Sequence, residues 1–223
     1  MDLNLKGKNA FVCGSTSGIG YATAVELAQL GANVTFCARN EEKLKGVKSE
    51  FSERFPKQSF RFVTADFSHP DQLENALSKH ISEFGIHYEI LVNNTGGPAG
   101  GPAHTASIDE FRLAFNAHLI CNQILVQHLI EGMKASSYGR IVNVISTSVK
   151  QPLNNLGVSN TVRGAVANWS KTLANELGQY NITVNNVLPG ATETGRLTSI
   201  LENKSNKTGV SIDEATAQMT SAI

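Results

Sequence analysis

Asn9-Ala-Phe-Val-Cys13-Gly14-Ser15-Thr16-Ser17-Gly18-Ile19-Gly20 is the stretch on which the fold turns. A short apolar run meets a glycine-rich turn, and the amphipathic segment that follows closes at Gly31. That order reads as strand, glycine turn, helix and glycine stop. Working outward, the alternation repeats. Asn33 to Cys37 reads as a second strand and Glu41 to about Phe55 as a charged helix. Phe60 to Ala65 is a third strand, with Pro70-Asp71 opening a helix that runs to Phe84. Ile90 to Asn93 is a fourth strand, and Ser107-Ile-Asp-Glu110 is a capping box for one long helix ending near Gly132. Gly139 to Ile145, a helix from about Ser159 to Gly178, and Thr183 to Leu188 complete the series. Strands alternating with helices in this way predict an α/β, doubly wound parallel sheet, with ligands beyond the carboxyl ends of the strands. No linker or composition break divides residues 1–223, so a single domain is expected. Ser211-Ile-Asp-Glu214 announces another helix, inside which the sequence stops at Ile223.

Composition narrows the partners. Lys plus Arg (19) balances Asp plus Glu (19), which leaves no basic footprint for nucleic acid or an anionic bilayer. Hydrophobic residues make up 41%, too many for a disordered chain. No stretch approaches the ~20 apolar residues of a membrane span, and the first residues lack a signal-peptide pattern. A cytoplasmic protein with a small-molecule partner is expected. Cys13, Cys37 and Cys121 stand singly, without metal-ligand or redox spacing, and read as small core residues.

The chemistry begins at the first strand–helix corner. Gly14, Gly18 and Gly20 let backbone approach a pyrophosphate, and the free N–H groups over Ser15, Thr16, Ser17 and Ile19 face its charge at a helix N-terminus. The residue ending strand two selects the cofactor. Where an NAD-binding chain carries a carboxylate for the ribose hydroxyls, Ala38 is followed by Arg39. A guanidinium can hold a 2′-phosphate in bidentate fashion, so NADP is expected over NAD. Asp66, after strand three, has two readings: acceptor for the adenine amino group, or cap of the next turn.

Together with Asn93-Asn94-Thr95-Gly96, Asn116, Gly139-Arg-Ile-Val-Asn143 leading to Ser146, and Pro189-Gly190 with Thr194, these motifs resemble the short-chain dehydrogenase/reductase family. The likeness is strongest to bacterial 3-oxoacyl-carrier-protein reductases and runs from about Leu5 to Thr194. It implies that Asn93 and Gly96 support the sheet and touch the cofactor, and that Pro189, Gly190 and Thr194 line the nicotinamide side. It also implies catalysis by Asn, Ser, Tyr and Lys, the last two as Tyr-x-x-x-Lys. Asn116 and Ser146 match the first two. At the family's interval from Ser146 stands Ser159, with Arg163 four residues on. The resemblance further implies another helix and strand, absent from residues 1–223, so the sequence is expected to be shortened or incompletely recorded. Assembly as homodimers or homotetramers is implied as well. Leu119, Ile120, Leu125 and Trp169 are candidates for such an interface, or equally for packing on the sheet.

The substitution changes the acid. A phenol of pKa ~10 can be tuned toward neutrality, whereas a serine hydroxyl is far weaker and several ångströms shorter. Arg163 supplies charge and hydrogen bonds, but above pKa ~12 it relays no proton. Ser159 and Arg163 at i and i+4 still share one helix face. His104, after the glycine-proline loop, is a second possible acid, and His118 reads as structural. Two functions follow. One is an NADPH-dependent oxidoreductase of a carbonyl substrate using Asn116, Ser146, Ser159 and Arg163. The other is a nucleotide-binding sensor or partner subunit with little turnover. A dehalogenase-type lyase is disfavoured, because those relatives give up the glycine turn and keep the tyrosine.

Overall fold

Side chains leave the first strand, β1 (Asn9–Cys13), toward two core layers: Phe11 and Cys13 into one, Ala10 and Val12 into the other. Burial on both faces marks a central parallel strand. After it come α1 (Gly18–Gln29), β2 (Asn33–Ala38), α2 (Glu41–Arg54), β3 (Phe60–Thr64), α3 (Pro70–Phe84), β4 (Ile90–Asn93), α4 (Ile108–Phe115), α5 (Cys121–Ala135), β5 (Gly139–Val144), α6 (Gly157–Leu177) and β6 (Ile182–Val187). The structure, a computed structural model, describes residues Leu3 to Thr220. Every strand pair is parallel, in the order β3-β2-β1-β4-β5-β6. This is the doubly wound sheet that the alternation predicts. One face carries α1 and α2 through Ala24, Ala28, Leu44 and Phe51. The other carries α3, α5 and α6 through Leu73, Leu77, Leu125, Leu129 and Leu177. The winding reverses between β1 and β4, which opens a crevice at their carboxyl ends.

Two details depart from the sequence reading, and a third bears on alternatives that reading left open. The single long helix after Ser107 is two helices, because a π-helical turn, Asn116–Ile120, separates α4 from α5. The Cys121 N–H there donates to the Asn116 carbonyl, five residues back. Helix α6 starts at Gly157 rather than Ser159, since the Gly157 N–H donates to Gly101 O (2.9 Å). Of the four residues offered for an interface, Leu125 is fully buried in the core, and Trp169 packs against that core while its Nε1–H donates to Gln123 Oε1 (2.9 Å).

The three cysteines are buried free thiols. Burial pushes the Cys13 thiol well up and that of Cys121 to about 12, so both stay protonated and inert. Elsewhere a buried polar chain crosses the core: His80 Nε2 meets the Tyr88 hydroxyl (2.7 Å), which meets Thr35 Oγ1 (2.9 Å). Burial, and secondarily the Arg61 charge, lower the His80 pKa. The folded state therefore binds this proton less readily than the unfolded chain does. Stability is expected to be complete above the ordinary histidine value of ~6.5 and to fall as pH drops through it toward the lower folded value. Urea midpoints at pH 7.5 and 5.5 check this, and His80→Gln should flatten the difference; an unchanged slope in that variant contradicts the assignment.

The chain divides after Leu188. From Pro189 onward a separate unit carries α7 (Gly195–Thr208) and α8 (Ile212–Thr220). The Glu214 N–H donates to Ser211 Oγ (3.1 Å), as the capping pattern predicts. Ile223, where that pattern breaks off, lies outside the described residues. Among the described residues no helix is long and apolar enough to cross a membrane.

Candidate active site

At the carboxyl end of β1 the backbone of Gly14 turns with φ +58° and that of Gly18 with φ +57°, a region that favours glycine. Gly20 packs so closely under this turn that a Cβ on it would overlap the Gly14 carbonyl oxygen and lie 2.8 Å from Asn94 Nδ2. Asn94 Nδ2 in turn donates to the carbonyls of Cys13 (3.3 Å) and Gly14 (3.4 Å), tying the end of β4 to the turn. Ser17 stands at the N-cap of α1 with no side-chain cap, and no acidic residue occupies the first turn. The result is an anion cradle with its helix N-terminus open.

Neighbouring side chains divide into those that build the cradle and those that face it. Ser15 is fully buried, and its Oγ accepts from the Cys37 N–H (3.0 Å), so its hydroxyl fastens β2 and only its backbone faces the turn. Thr16 and Ile19 are half-buried, and Ser17 is exposed. Arg39 is exposed just past β2. Asp66 Oδ1 accepts from the Ser68 N–H (2.9 Å). That bond, with a smaller contribution from the Arg39 charge, lowers its carboxyl pKa. The same bond is the turn cap of one of the two readings of Asp66. Asn93 is buried and its Nδ2 donates to Asn143 Oδ1 (2.7 Å), while Asn143 Nδ2 donates to Ser170 Oγ (2.9 Å). Asn93 therefore joins β4 to β5 and, through Asn143, to α6. Gly96 is exposed beyond it.

A second cluster gathers where β5 meets α6. Ser146 is half-buried and extended, and its Oγ accepts from the Ser148 N–H (3.1 Å). Arg163 is only 8% exposed, and its Nη1 donates to the carbonyl of Val144 (2.8 Å), two residues before Ser146. Ser159 is half-buried on the first turn of α6, one turn before Arg163. Asn116 opens the π-helical turn, and α4 leans on α6 through Ala114, Val158 and Val162. Such turns are frequent at functional sites. Elements carrying all four proposed catalytic residues thus converge on the carboxyl end of β5 and the start of α6. Pro189, Gly190 and Thr194 belong to the following unit, where Thr194 is the N-cap residue of α7 and its Oγ1 donates to Thr192 O (3.3 Å).

None of the four tyrosines stands beside Ser146 or the start of α6. Tyr88 precedes β4 at the amino ends of the strands, where its neighbour Glu89 donates its N–H to Asn9 O, and burial pushes its hydroxyl to about 12. Tyr21 bonds Glu50 across α1 and α2. The ring of Tyr138, just before β5, lies under Lys8 and Arg140, and that of Tyr180, after α6, lies under Lys134. The anchoring part of Asn94 has no signal in the sequence beyond its place beside Asn93, and the contact of Gly157 with Ala103 has no local signal at all.

The family model for short chain dehydrogenase matches residues 8–205. The NADPH-dependent reductase BacG of Bacillus subtilis (strain 168) is 28% identical over 216 residues, covering 97% of this chain and 83% of the relative. The L-sorbose reductase of Gluconobacter frateurii, solved with NADPH and L-sorbose, superposes with a TM-score of 0.87 at 28% identity, over 96% of this chain and 81% of that one. A variant of actinorhodin polyketide ketoreductase, solved with NADPH, gives a TM-score of 0.84 at 30% identity, over 96% and 82%.

Proposed function

The chain belongs to the short chain dehydrogenase family, and we propose that it is an NADPH-dependent reductase of a ketone, of 3-oxoacyl type or similar, acting through a site in which Ser159 and Arg163 stand where relatives carry tyrosine and lysine. The observation that carries this reading is the open glycine cradle at the sheet's switch point, with Arg39 rather than a carboxylate after β2. Relatives that use or bind NADPH support the same cofactor. The residues fit it: only glycine at position 20 lets α1 pack under the Gly14 turn that forms the cradle, and no first-turn carboxylate opposes a phosphate.

The backbone of Gly14, Ser15, Thr16, Ser17, Gly18, Ile19 and Gly20 would hold the pyrophosphate, Arg39 the 2′-phosphate, and Asp66 would border the adenine. Asn93 and Gly96 would complete the cofactor side, and for Pro189, Gly190 and Thr194, on the following unit, the family resemblance implies a nicotinamide-lining role. When bound, NADPH supplies a hydride to the carbonyl carbon. Ser146 orients the carbonyl oxygen by hydrogen bonding, Arg163 places positive charge beneath the developing alkoxide, Ser159 adds a donor from the first turn of α6, and Asn116 holds the helix geometry or a water. Saturable oxidation of NADPH is expected with at least one member of a panel of diketones, 3-oxo esters and aldehydes. NADPH binding without oxidation on any of them would instead favour the sensor reading, which the missing tyrosine alone supports.

A further inference from the structure

Reduction of a carbonyl needs a proton as well as a hydride, and no proposed catalytic residue on β5, α6 or the π-helical turn releases one near neutral pH. Asn116 has an amide, Ser146 and Ser159 alkyl hydroxyls, and Arg163 a guanidinium of pKa above ~12. The four tyrosines are placed elsewhere, as described. Imidazole is the ordinary side chain that changes charge between pH 5 and 8. Four of the six histidines stand away from the start of α6, and a fifth, His118, is buried. His69 precedes α3, and His80 is buried against Tyr88. His87 packs on Gly132, His118 is buried in the π-helical turn, and His128 faces Glu74.

His104 differs in position. It is the middle residue of a short 3-10 turn, Ala103–Thr105, and is exposed. The loop carrying it is fastened to the start of α6 by an isolated parallel bridge between Gly101 and Leu156. Gly101 N–H donates to Asn155 O (2.7 Å), and Gly157 N–H donates to Gly101 O (2.9 Å). Asn155 adopts φ +59° to make this fit. Gly157 lies so close to Ala103 that a Cβ on it would overlap the Ala103 backbone. On the other side of His104, Ala106 packs into the small cluster of Ala114, Val158 and Val162. Both flanks are thus pinned, one to the residue two before Ser159 and the other to the helix pair that carries Asn116. The pinned backbone places His104 beside the first turn of α6, and its exposure gives a route for reprotonation from water.

We propose that His104 is the proton donor of this site, serving from the loop after β4 the task that relatives assign to a tyrosine on α6; this rests on the reductase reading. The imidazolium N–H bond breaks as an O–H bond forms on the substrate oxygen, which holds the former π pair of the C=O bond once the carbonyl carbon has accepted hydride from NADPH. The neutral imidazole then regains its proton from solvent. Of the charged groups on the elements packed against this loop, Glu110 accepts from the Ser107 N–H and hydroxyl, Asp109 pairs with Arg112 (3.2 Å), and Arg163 bonds Val144 O. Lys150 lies farther along, in a cleft of about 410 Å³ between α6 and β6.

The test uses butane-2,3-dione as substrate, and acetoin with NADP+ as the product complex. In the unaltered protein the rate is expected to fall as pH rises from about 6 to about 9. His104→Ala and His104→Gln should be roughly 10²-fold slower at pH 6 and lose that dependence. Free imidazole should restore the alanine variant. Independently of turnover, the His104 ring proton resonance, assigned by its loss in His104→Gln, should shift when NADP+ and acetoin are added, while that of His128 stays put. An unshifted resonance, or variants that keep the parent's rate and pH profile, overturns the proposal and leaves the reductase reading intact. A parent protein that binds NADPH yet reduces nothing overturns both.

Discussion

Replacing Arg39 with Asp is expected to weaken NADPH binding by about 10²-fold while leaving NADH within a few-fold. A charge-assisted hydrogen bond contributes about 1.5–3 kcal/mol, and a carboxylate in its place adds repulsion against the 2′-phosphate. Because Arg39 is exposed just past β2, the contrast between the two nucleotides should narrow at high salt. Titration calorimetry with both nucleotides, at low and high ionic strength, reads the effect. Equal losses for NADH and NADPH would mean that Arg39 makes no phosphate contact and acts only on the fold of the corner.

Gly20→Val is expected to damage binding and stability together. Its Cβ would overlap the Gly14 carbonyl and press on Asn94, so the branched side chain forces apart the end of β1, the start of α1 and the end of β4. Overpacking against backbone costs about 1–3 kcal/mol, which for a chain of this size lowers Tm by roughly 2–12 °C. The cradle would also lose its shape. Loss of NADPH affinity with an unchanged melting curve would contradict the packing, and retained affinity would contradict the cradle.

Legibility followed from how local each constraint is. Gly14, Gly18 and Gly20 announce themselves because a strand, a positive-φ turn and a helix start must follow within a few residues, and each demand falls on residue type. Pro70 and Phe84 bound their helix in the structure as they do in the sequence, since proline at the first helical position and glycine after the last are local signals. The π-helical turn was not legible, because Ala117, His118, Leu119 and Ile120 continue an ordinary apolar helix pattern and the extra residue shows only in backbone bonding. Ser15 reads as a cofactor contact, yet its hydroxyl serves Cys37, an orientation set by the neighbouring strand. Gly157 and Ala103 constrain each other across two loops distant in sequence, so no local pattern could reveal that His104 stands beside the first turn of α6. Arg163 is legible as the polar residue four after Ser159; its anchorage on Val144 O is not, because it depends on how α6 crosses the end of β5.

Deuterium transfer is the most direct check on whether this site performs reduction without the family's tyrosine. With NADPH deuterated at the transferring C4 position and butane-2,3-dione as acceptor, mass spectrometry should find a single deuterium on the carbinol carbon of acetoin, at a rate that saturates with both reactants. Protein that binds NADPH tightly but returns acetoin free of deuterium, or no acetoin, would contradict it.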